Sequence, residues 1–534
     1  MKFIEKVAKF GMPLVIAISV ILGMMIQANI GTKRNISNGI RTSSQSKIDA
    51  ILDYVDREYV DSVDIDQIVE STIPTMLEEL DPHSVYISAD DFKRMNEPLE
   101  GNFDGIGVQF NIQKDTVTVI KTIVGGPSEK VGIRDGDRIV TVDDSIVGGI
   151  GITNSQVMKL LRGEKGTKVK VGIYRRGEAD LVYFTITRDK IPIYSVDVAY
   201  MINASTGYLK ISKFGRNTYK EFQQAIAKLQ SFGMQHVILD LRGNSGGYLD
   251  QATNIIDEFL ENGKLIVYTK GRSRPKTDIY ATHRSSCNNI GVTVLIDEWS
   301  ASASEIVAGA IQDNDRGTVI GRRSFGKGLV QEPVRFADGS SMRLTISRYY
   351  TPSGRCIQKS YENGQDEYFA DIHSRFEKGE FMDKDSIQFA DSLKYYTAKG
   401  RVVYGGGGIM PDNFIPADTT GASEYLSSIT RKGLEYQFCF EYTDSNRDLL
   451  SSFKSTEELV AYLNEQDLLN KFTSYAAKNG VKKDRKGIKE SGKVIHTQVK
   501  ALIARNIFDN DGFYPVIKDV DKTLLEALKN IEKE

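Results

Sequence analysis

Apolar and polar positions divide the chain into stretches of different rhythm. From 47 to 80 the spacing is helical. Ile48, Ile51, Leu52, Val55 and Tyr59 recur on one face, and Ile65, Ile68, Val69, Ile73, Met76, Leu77 and Leu80 repeat the pattern with Pro74 as an expected kink. Asp81 and Pro82 then mark a turn. From about 100 to 188 the rhythm changes to short alternating runs, DGIGVQF at 104–110, DTVTVI at 115–120 and TKVKVGIY at 167–174, with a helix predicted over 155–161. That is one small β-rich domain. From 205 onward, strands predicted over 208–214, 236–241, 292–296, 318–320 and 343–350 alternate with helices predicted over 218–229, 250–260 and 305–311. Repeated β-α units with buried strands imply a layered α/β core. Four glycines at 405–408 punctuate its end. From about 419 the pattern is helical and charged, and its basic stretch, 478–493, reads as a solvated face or tail.

The first thirty residues carry another signal. Lys2, Lys6 and Lys9 precede an uncharged, apolar run over 10–26. At about 17 residues such a run sits at the lower limit for a membrane span. No small-residue cleavage signature follows, so an uncleaved anchor is expected in preference to a removed signal. The basic start favours a cytoplasmic amino terminus and a body outside the cytoplasm, in a bacterial cell envelope, although Lys33, Arg34 and Arg41 weaken that asymmetry.

Composition adds mainly exclusions. Lys+Arg total 69 against Asp+Glu 71, without the clustered positive excess that a nucleic-acid surface needs. Cys287, Cys356 and Cys439 are far apart, which supports neither a zinc site nor a disulfide framework. No metal and no cofactor are expected. At 534 residues the chain exceeds one ordinary core. The expected division is an anchor or signal over 1–30, a helical segment packing on the core over 31–95, the β-rich domain over 96–190, the α/β core over 191–418 and a helical extension over 419–534.

Two serines compete for the chemistry. Ser245 lies in GNSGG, 243–247, between a predicted strand and a predicted helix, the setting of an α/β-hydrolase nucleophile elbow. That reading needs a downstream histidine; His283, His373 and His496 follow, none in a recognisable catalytic setting. Ser302 lies in SASASE, 300–305, where it opens a predicted helix. With Glu305 it fits the capping box S-x-x-E, a structural role in itself. The same place sets a serine oxygen near the positive end of a helix dipole, which favours negative charge developing there. Lys327, in SFGKGLVQ at 324–331, is flanked by glycines and apolar neighbours. A lysine serves as general base only if burial lowers its pKa until the neutral amine is accessible, and serine–lysine pairs are one solution to acyl transfer.

Taken together, SASASE followed by FGKGxxQ is similar to the carboxy-terminal processing proteases, the tail-specific proteases of family S41. The similarity runs over about 47–412 and includes LDPHS at 80–84, LDLRGNSGG at 239–247 and the glycine-rich 405–412. In the β-rich domain, Gly105, Ile106, Gly107 and Val108 resemble the carboxylate-binding loop of a PDZ domain, and GPSEKVGIRDGD at 126–137 resembles that family's signature stretch. Successive glycines let backbone N–H groups converge on an anion, and the neighbouring strand edge can pair with an extended peptide.

The resemblance implies an α/β multidomain fold with a layered, crotonase-like protease core, although nothing suggests a coenzyme A site. It implies Ser302 as nucleophile, Lys327 as general base and Gln331 as the residue that orients the lysine. The N–H of Ala303 and that of one glycine, Gly246 or Gly247, would form the oxyanion hole. Ser245 stands where the family commonly has proline or glycine, so the resemblance gives it no nucleophilic role. The implied partners are proteins or peptides with apolar carboxy-terminal tails. The extension over 419–534 lies beyond the family motifs, and oligomerisation, an adaptor contact or envelope attachment are open to it. Two rivals also stay open: an α/β-hydrolase using Ser245, and a PDZ scaffold whose protease-like core is silent.

Overall fold

Two sheets of opposite character build the region between 190 and 415, the second with one strand from outside it. The first has six strands in the order Val196–Met201, Thr206–Ile211, His236–Asp240, Gly291–Ile296, Thr318–Gly321, Asn413–Phe414; its first pair is antiparallel and every later pair parallel. Leu209, Leu239, Val294 and Val319 lie in register across it and are buried. Because side chains alternate along a strand, their neighbours Tyr208, Ile238, Leu295 and Ile320 point to the opposite face, and these too are buried. A sheet apolar on both faces must be covered twice. The helices Thr218–Ser231, Leu249–Asp257 and Ala303–Asp313 contribute Phe222, Ile226, Ile255, Ile256, Ile306 and Val307 to the core on one face. The helix Lys522–Ile531, at the far end of the chain, places Leu524 and Ala527 on the other. Each such large apolar side chain, fully buried, stabilises the fold by roughly 1.5–3 kcal/mol.

The second sheet is antiparallel. Ser341–Tyr350 pairs with Val85–Ile87, Leu265–Lys270 and Leu329–Arg335, and Leu265–Lys270 pairs with Thr277–Tyr280. Of these strands the sequence pattern announced only the one around 343–350. Leu329–Arg335 is exposed along most of its length and carries Pro333, so it offers no buried alternating face to read.

The computed structural model describes residues 44–284 and 286–533; the expected membrane anchor lies outside them. Among the described residues no helix is long and apolar enough to cross a membrane. The chain divides into two compact units after Met76. The first holds the helix Ser44–Glu58 and most of Ile65–Glu78, which carries Pro74 within it.

In the second unit the β-rich domain is a sheet of Val108–Gln113, Thr116–Thr122, Arg138–Val142, Lys168–Tyr174 and Val182–Thr187, with the helix Asn154–Leu161 and a core of its own around Val117, Ile139, Val157 and Val171. The extension is a separate helical core in which Phe438, Leu459, Leu463, Phe472, Ile495 and Val499 are buried. Its basic stretch keeps Lys482, Lys483 and Lys489 exposed, while Gly487 and Ser491 of the helix Arg485–Ile517 are buried. The extension also touches the β-rich domain through the ion pairs Lys114–Glu441, Lys121–Asp509 and Arg138–Asp444, at 2.8, 2.5 and 3.1 Å.

Candidate active site

Three loops leave the carboxyl ends of adjacent parallel strands, after Asp240, after Ile296 and after Gly321. This is where open α/β sheets bind ligands. With the strand Leu329–Arg335 they enclose a cavity of about 750 Å³ lined by Ser245, Gly246, Gly247, Ser302, Ala303, Lys327 and Gln331. His83 is the histidine among its lining residues; His283, His373 and His496 do not line it. Ser245 is exposed and shares this cavity with none of the three downstream histidines on which the elbow reading rests.

Ser302 is held in an unusual backbone conformation, φ 55° and ψ −113°, just ahead of the helix Ala303–Asp313. Such a conformation costs a non-glycine residue about 1–3 kcal/mol and persists only where its surroundings enforce it. Here the enforcing group is Glu305. Its buried carboxylate accepts the N–H of Ser302 at 2.8 Å, the N–H of Lys327 at 2.9 Å, the N–H of Gly326 at 2.7 Å and the hydroxyl of Ser324 at 2.5 Å. The expected capping contact is thus half of a larger arrangement: one carboxylate ties the turn bearing the serine to the loop bearing the lysine. Burial lifts the Glu305 carboxyl from 4.5 to about 7, although each of these four bonds favours the ionised form. Three of the four partners are backbone N–H groups, which can only donate and so favour the carboxylate, whereas the Ser324 hydroxyl can also turn and accept. Tyr349 adds a second tie, its hydroxyl lying 2.6 Å from the Lys327 carbonyl and 3.1 Å from that of Ser302.

Lys327 Nζ donates to Gln331 Oε1 at 3.1 Å, and Gln331 Nε2 donates in turn to the His83 carbonyl. Burial, and after it the Arg343 guanidinium, lower the lysine from its usual 10.5 to about 8, against the opposing pull of Asp81 and Glu305. Burial, then the Lys327 charge, hold the His83 imidazole down at about 3, so it stays neutral; its Nε2 lies 2.8 Å from the Tyr368 hydroxyl. Among the described residues no hydrogen bond joins Ser302 Oγ to Lys327 Nζ; the two share the cavity.

Gly246 packs directly against Ser302, and Gly247 against Phe214. A Cβ added to Gly246 would lie 2.8 Å from Ser302 Cβ, and one added to Gly247 would lie 2.1 Å from the Phe214 carbonyl oxygen. Both glycines have positive φ, 103° and 144°, a conformation that disfavours any side chain. Gly246 N–H is already committed to Asn244 Oδ1 at 2.8 Å. The N–H groups of Gly247 and Ala303 donate to no described group, and both residues line the cavity.

In the β-rich domain the 105–108 loop lies between the strands Asn102–Gly105 and Val108–Gln113. Its carbonyls are occupied: Ile106 O accepts Ser128 N–H at 3.0 Å and the Ser128 hydroxyl at 2.7 Å, and Gly107 O accepts Ile123 N–H at 2.9 Å. The N–H groups of Ile106 and Gly107 donate to no described group, the arrangement an anion-binding loop needs.

Known families match the same stretches. Peptidase family S41 matches residues 205–364, and the PDZ domain matches 105–189. A probable CtpA-like serine protease of Staphylococcus epidermidis is 33% identical over 351 residues, covering 64% of this chain and 70% of that protein. A carboxy-terminal-processing protease of Bartonella bacilliformis is 37% identical over 313 residues, covering 58% and 71%. The chain belongs to this family. It is a PDZ-containing S41 carboxy-terminal processing peptidase, a serine-type enzyme. Among solved structures, a photosystem II D1 C-terminal processing protease is 29% identical over 59% of this chain and 90% of its own, with a TM-score of 0.33. Residues 425–509 match a family of unknown function, DUF8443.

The sequence pattern did not single out Tyr349, Arg343 or His83 as lining this cavity. His83 was visible inside the LDPHS motif, but its place beside Gln331 depends on the pairing of Val85–Ile87 with Ser341–Tyr350. Glu305 was visible only as a cap, because its other three donors lie at 324–327 and are brought to it by the sheet.

Proposed function

We propose that this S41 peptidase works through a Ser302–Lys327 dyad on envelope proteins whose apolar carboxy-terminal tails dock at the 105–108 loop. The observation that carries the reading is the Glu305 carboxylate, which ties the backbones of Ser302 and Lys327 together beside the free N–H groups of Ala303 and Gly247. Neutral Lys327 takes the proton of Ser302 Oγ as the oxygen attacks a peptide carbonyl. The carbonyl oxygen becomes an oxyanion and receives the Ala303 and Gly247 N–H groups, an electrostatic contribution that typically amounts to about 10²–10³ in rate for one donor. The protonated lysine then gives its proton to the departing amine. Water, deprotonated by the same lysine, releases the acyl group from Ser302. Gln331 holds Nζ on the cavity side throughout.

The PDZ loop supports tail recognition with two free N–H groups in a buried turn, facing the chemistry of a terminal carboxylate. The apolar run at 10–26 behind three lysines supports an envelope location with the body outside the cytoplasm. The parallel sheet, with helices on both faces and an antiparallel sheet beside the cavity, supports the crotonase-like layering.

The test is cleavage of an unstructured protein bearing an apolar carboxy terminus. Ser302→Ala and Lys327→Ala should each abolish turnover while Ser245→Ala retains it. Loss with Ser245→Ala alone would restore the hydrolase reading, and replacement of 105–108 without loss of tail preference would remove the PDZ loop from substrate capture.

A further inference from the structure

The last segment of the chain returns to the strand ends that carry the site. The helix Arg485–Ile517 breaks at Asp509, φ 54° and ψ −139°, and beyond the break the chain runs onto the core sheet. There Asn510 Nδ2 donates to the Asp197 carbonyl at 3.0 Å, and Leu524 and Ala527 of the following helix pack on Tyr208, Ile238 and Leu295. Asp521 caps that helix by accepting Leu524 N–H at 3.1 Å. Its two oxygens also accept Nη1 and Nη2 of Arg242, at 2.8 and 2.6 Å. The adjacent edge of the same guanidinium, which shares Nη2, is held by Asp240, Nε to Oδ1 at 3.0 Å and Nη2 to Oδ2 at 2.6 Å. Asp240 is fully buried and also accepts the Tyr208 hydroxyl at 2.6 Å.

Arg242 immediately precedes the turn that bears Gly246 and Gly247. Its carbonyl accepts Lys210 Nζ at 2.9 Å, and the next N–H, of Gly243, donates to Asp297 Oδ1 at 2.9 Å. The same Asp297 oxygen accepts the N–H groups of Trp299 and Ser300, each at 3.1 Å, on the loop that leads to Ser302. Arg242, Asp297 and Asp521 line one cavity of about 350 Å³.

We propose that Asp521 is a positioning residue for the oxyanion turn. It fixes the Arg242 fork against Asp240 and so keeps Arg242 away from Asp297. Without Asp521, Asp297 is the remaining carboxylate in that cavity that Arg242 does not already hold. A guanidinium drawn toward it competes with the N–H groups of Gly243, Trp299 and Ser300, and both sides of the oxyanion hole shift. The carboxy-terminal segment is then a working part of the peptidase, although it lies outside the residues matched by the S41, PDZ and DUF8443 families. The proposal rests on reading Gly247 and Ala303 as oxyanion donors.

The experiment uses the full chain with Asp521→Asn and Asp521→Ser; serine retains an oxygen that can cap the helix while removing the ion pair. The readouts are the inhibition constant of a peptide boronic acid, whose tetrahedral adduct on Ser302 presents an oxygen to the hole, and the dissociation constant of the matching cleaved peptide. Neither depends on the fraction of active molecules. Losing one oxyanion donor typically costs about 10²–10³, and a displaced donor forfeits part of that, so boronate affinity should weaken about tenfold while product affinity stays within about twofold. Unchanged boronate affinity in folded Asp521→Ser would overturn the proposal, and so would equal weakening of both ligands, which would signify general loosening. Wild-type boronate affinity in Ser302→Ala would instead defeat the underlying reading of the site.

Discussion

Replacing Glu305 by glutamine separates the site's function from its stability. A carboxyl raised from 4.5 to about 7 on folding means that the folded chain binds its proton more tightly than the unfolded chain. Stability from this group is therefore present below about pH 4.5, is lost as pH rises through 7, and leaves roughly 3 kcal/mol against the fold above that. Glutamine removes this charge penalty. It also replaces one acceptor oxygen by an NH₂ group. If that group faces Ser324, the hydroxyl can turn and accept from it, but Gly326 N–H, which also donates to Oε1 at 2.7 Å, loses its partner. If it faces the other way, the N–H groups of Ser302 and Lys327 both lose theirs. A buried unsatisfied donor costs about 1–3 kcal/mol, comparable to the penalty relieved. Glu305→Gln should therefore melt within about 3 °C of the wild type, while the loosened tie between serine and lysine lowers kcat/KM by roughly 5–150-fold, the rate equivalent of 1–3 kcal/mol. The assay is peptide cleavage normalised to titrated active sites, with calorimetry on the same samples. Cleavage within about twofold of wild type, or loss of activity and stability together, would refute the reasoning.

Three further expectations follow from the same geometry. With Lys327 at about 8 and acting as the proposed base, kcat/KM should rise about tenfold per pH unit below 8 and level off above it; Arg343→Met, which removes a neighbouring cation, should move this limb to higher pH, and an unmoved limb would exclude Arg343 from tuning Lys327. Gly247→Ala should cut turnover by about 10² or more, because its Cβ would meet the Phe214 carbonyl oxygen at 2.1 Å; site-titrated rates within about tenfold of wild type would show that the turn tolerates the shift. Arg355→Met leaves Asp313, now 2.7 Å from the fully buried guanidinium, as an unpaired buried charge, and urea unfolding should register a loss of about 3–5 kcal/mol; a loss below about 1 kcal/mol would show that the pair contributes little.

What could be read from the chain was whatever chemistry is local. Ser302 and Glu305 lie three apart at a helix start, and Lys327 and Gln331 lie four apart in one stretch, so each pair is visible as spacing. The joining of the two pairs was not, because Gly326 N–H and Ser324 reach Glu305 across some twenty residues of intervening sequence. The strand expected over 208–214 ends at Ile211, since Phe214 leaves the sheet to bridge Gly247, a pairing with no local signal.

The sequence by itself determined the buried strands alternating with helices and the residue types able to supply a nucleophile, a base and free amides. Those features follow from side-chain period, backbone sterics and intrinsic pKa, all properties of neighbours along the chain. Tertiary structure alone decided that Glu305 became the common acceptor for the segments bearing Ser302 and Lys327 and that Lys327 was desolvated enough to fall to about 8. It also decided that the far carboxy-terminal helix closed the second face of the sheet and brought Asp521 to Arg242. Burial and long-range hydrogen bonding depend on what the fold packs against a residue, and that partner can lie anywhere in the chain.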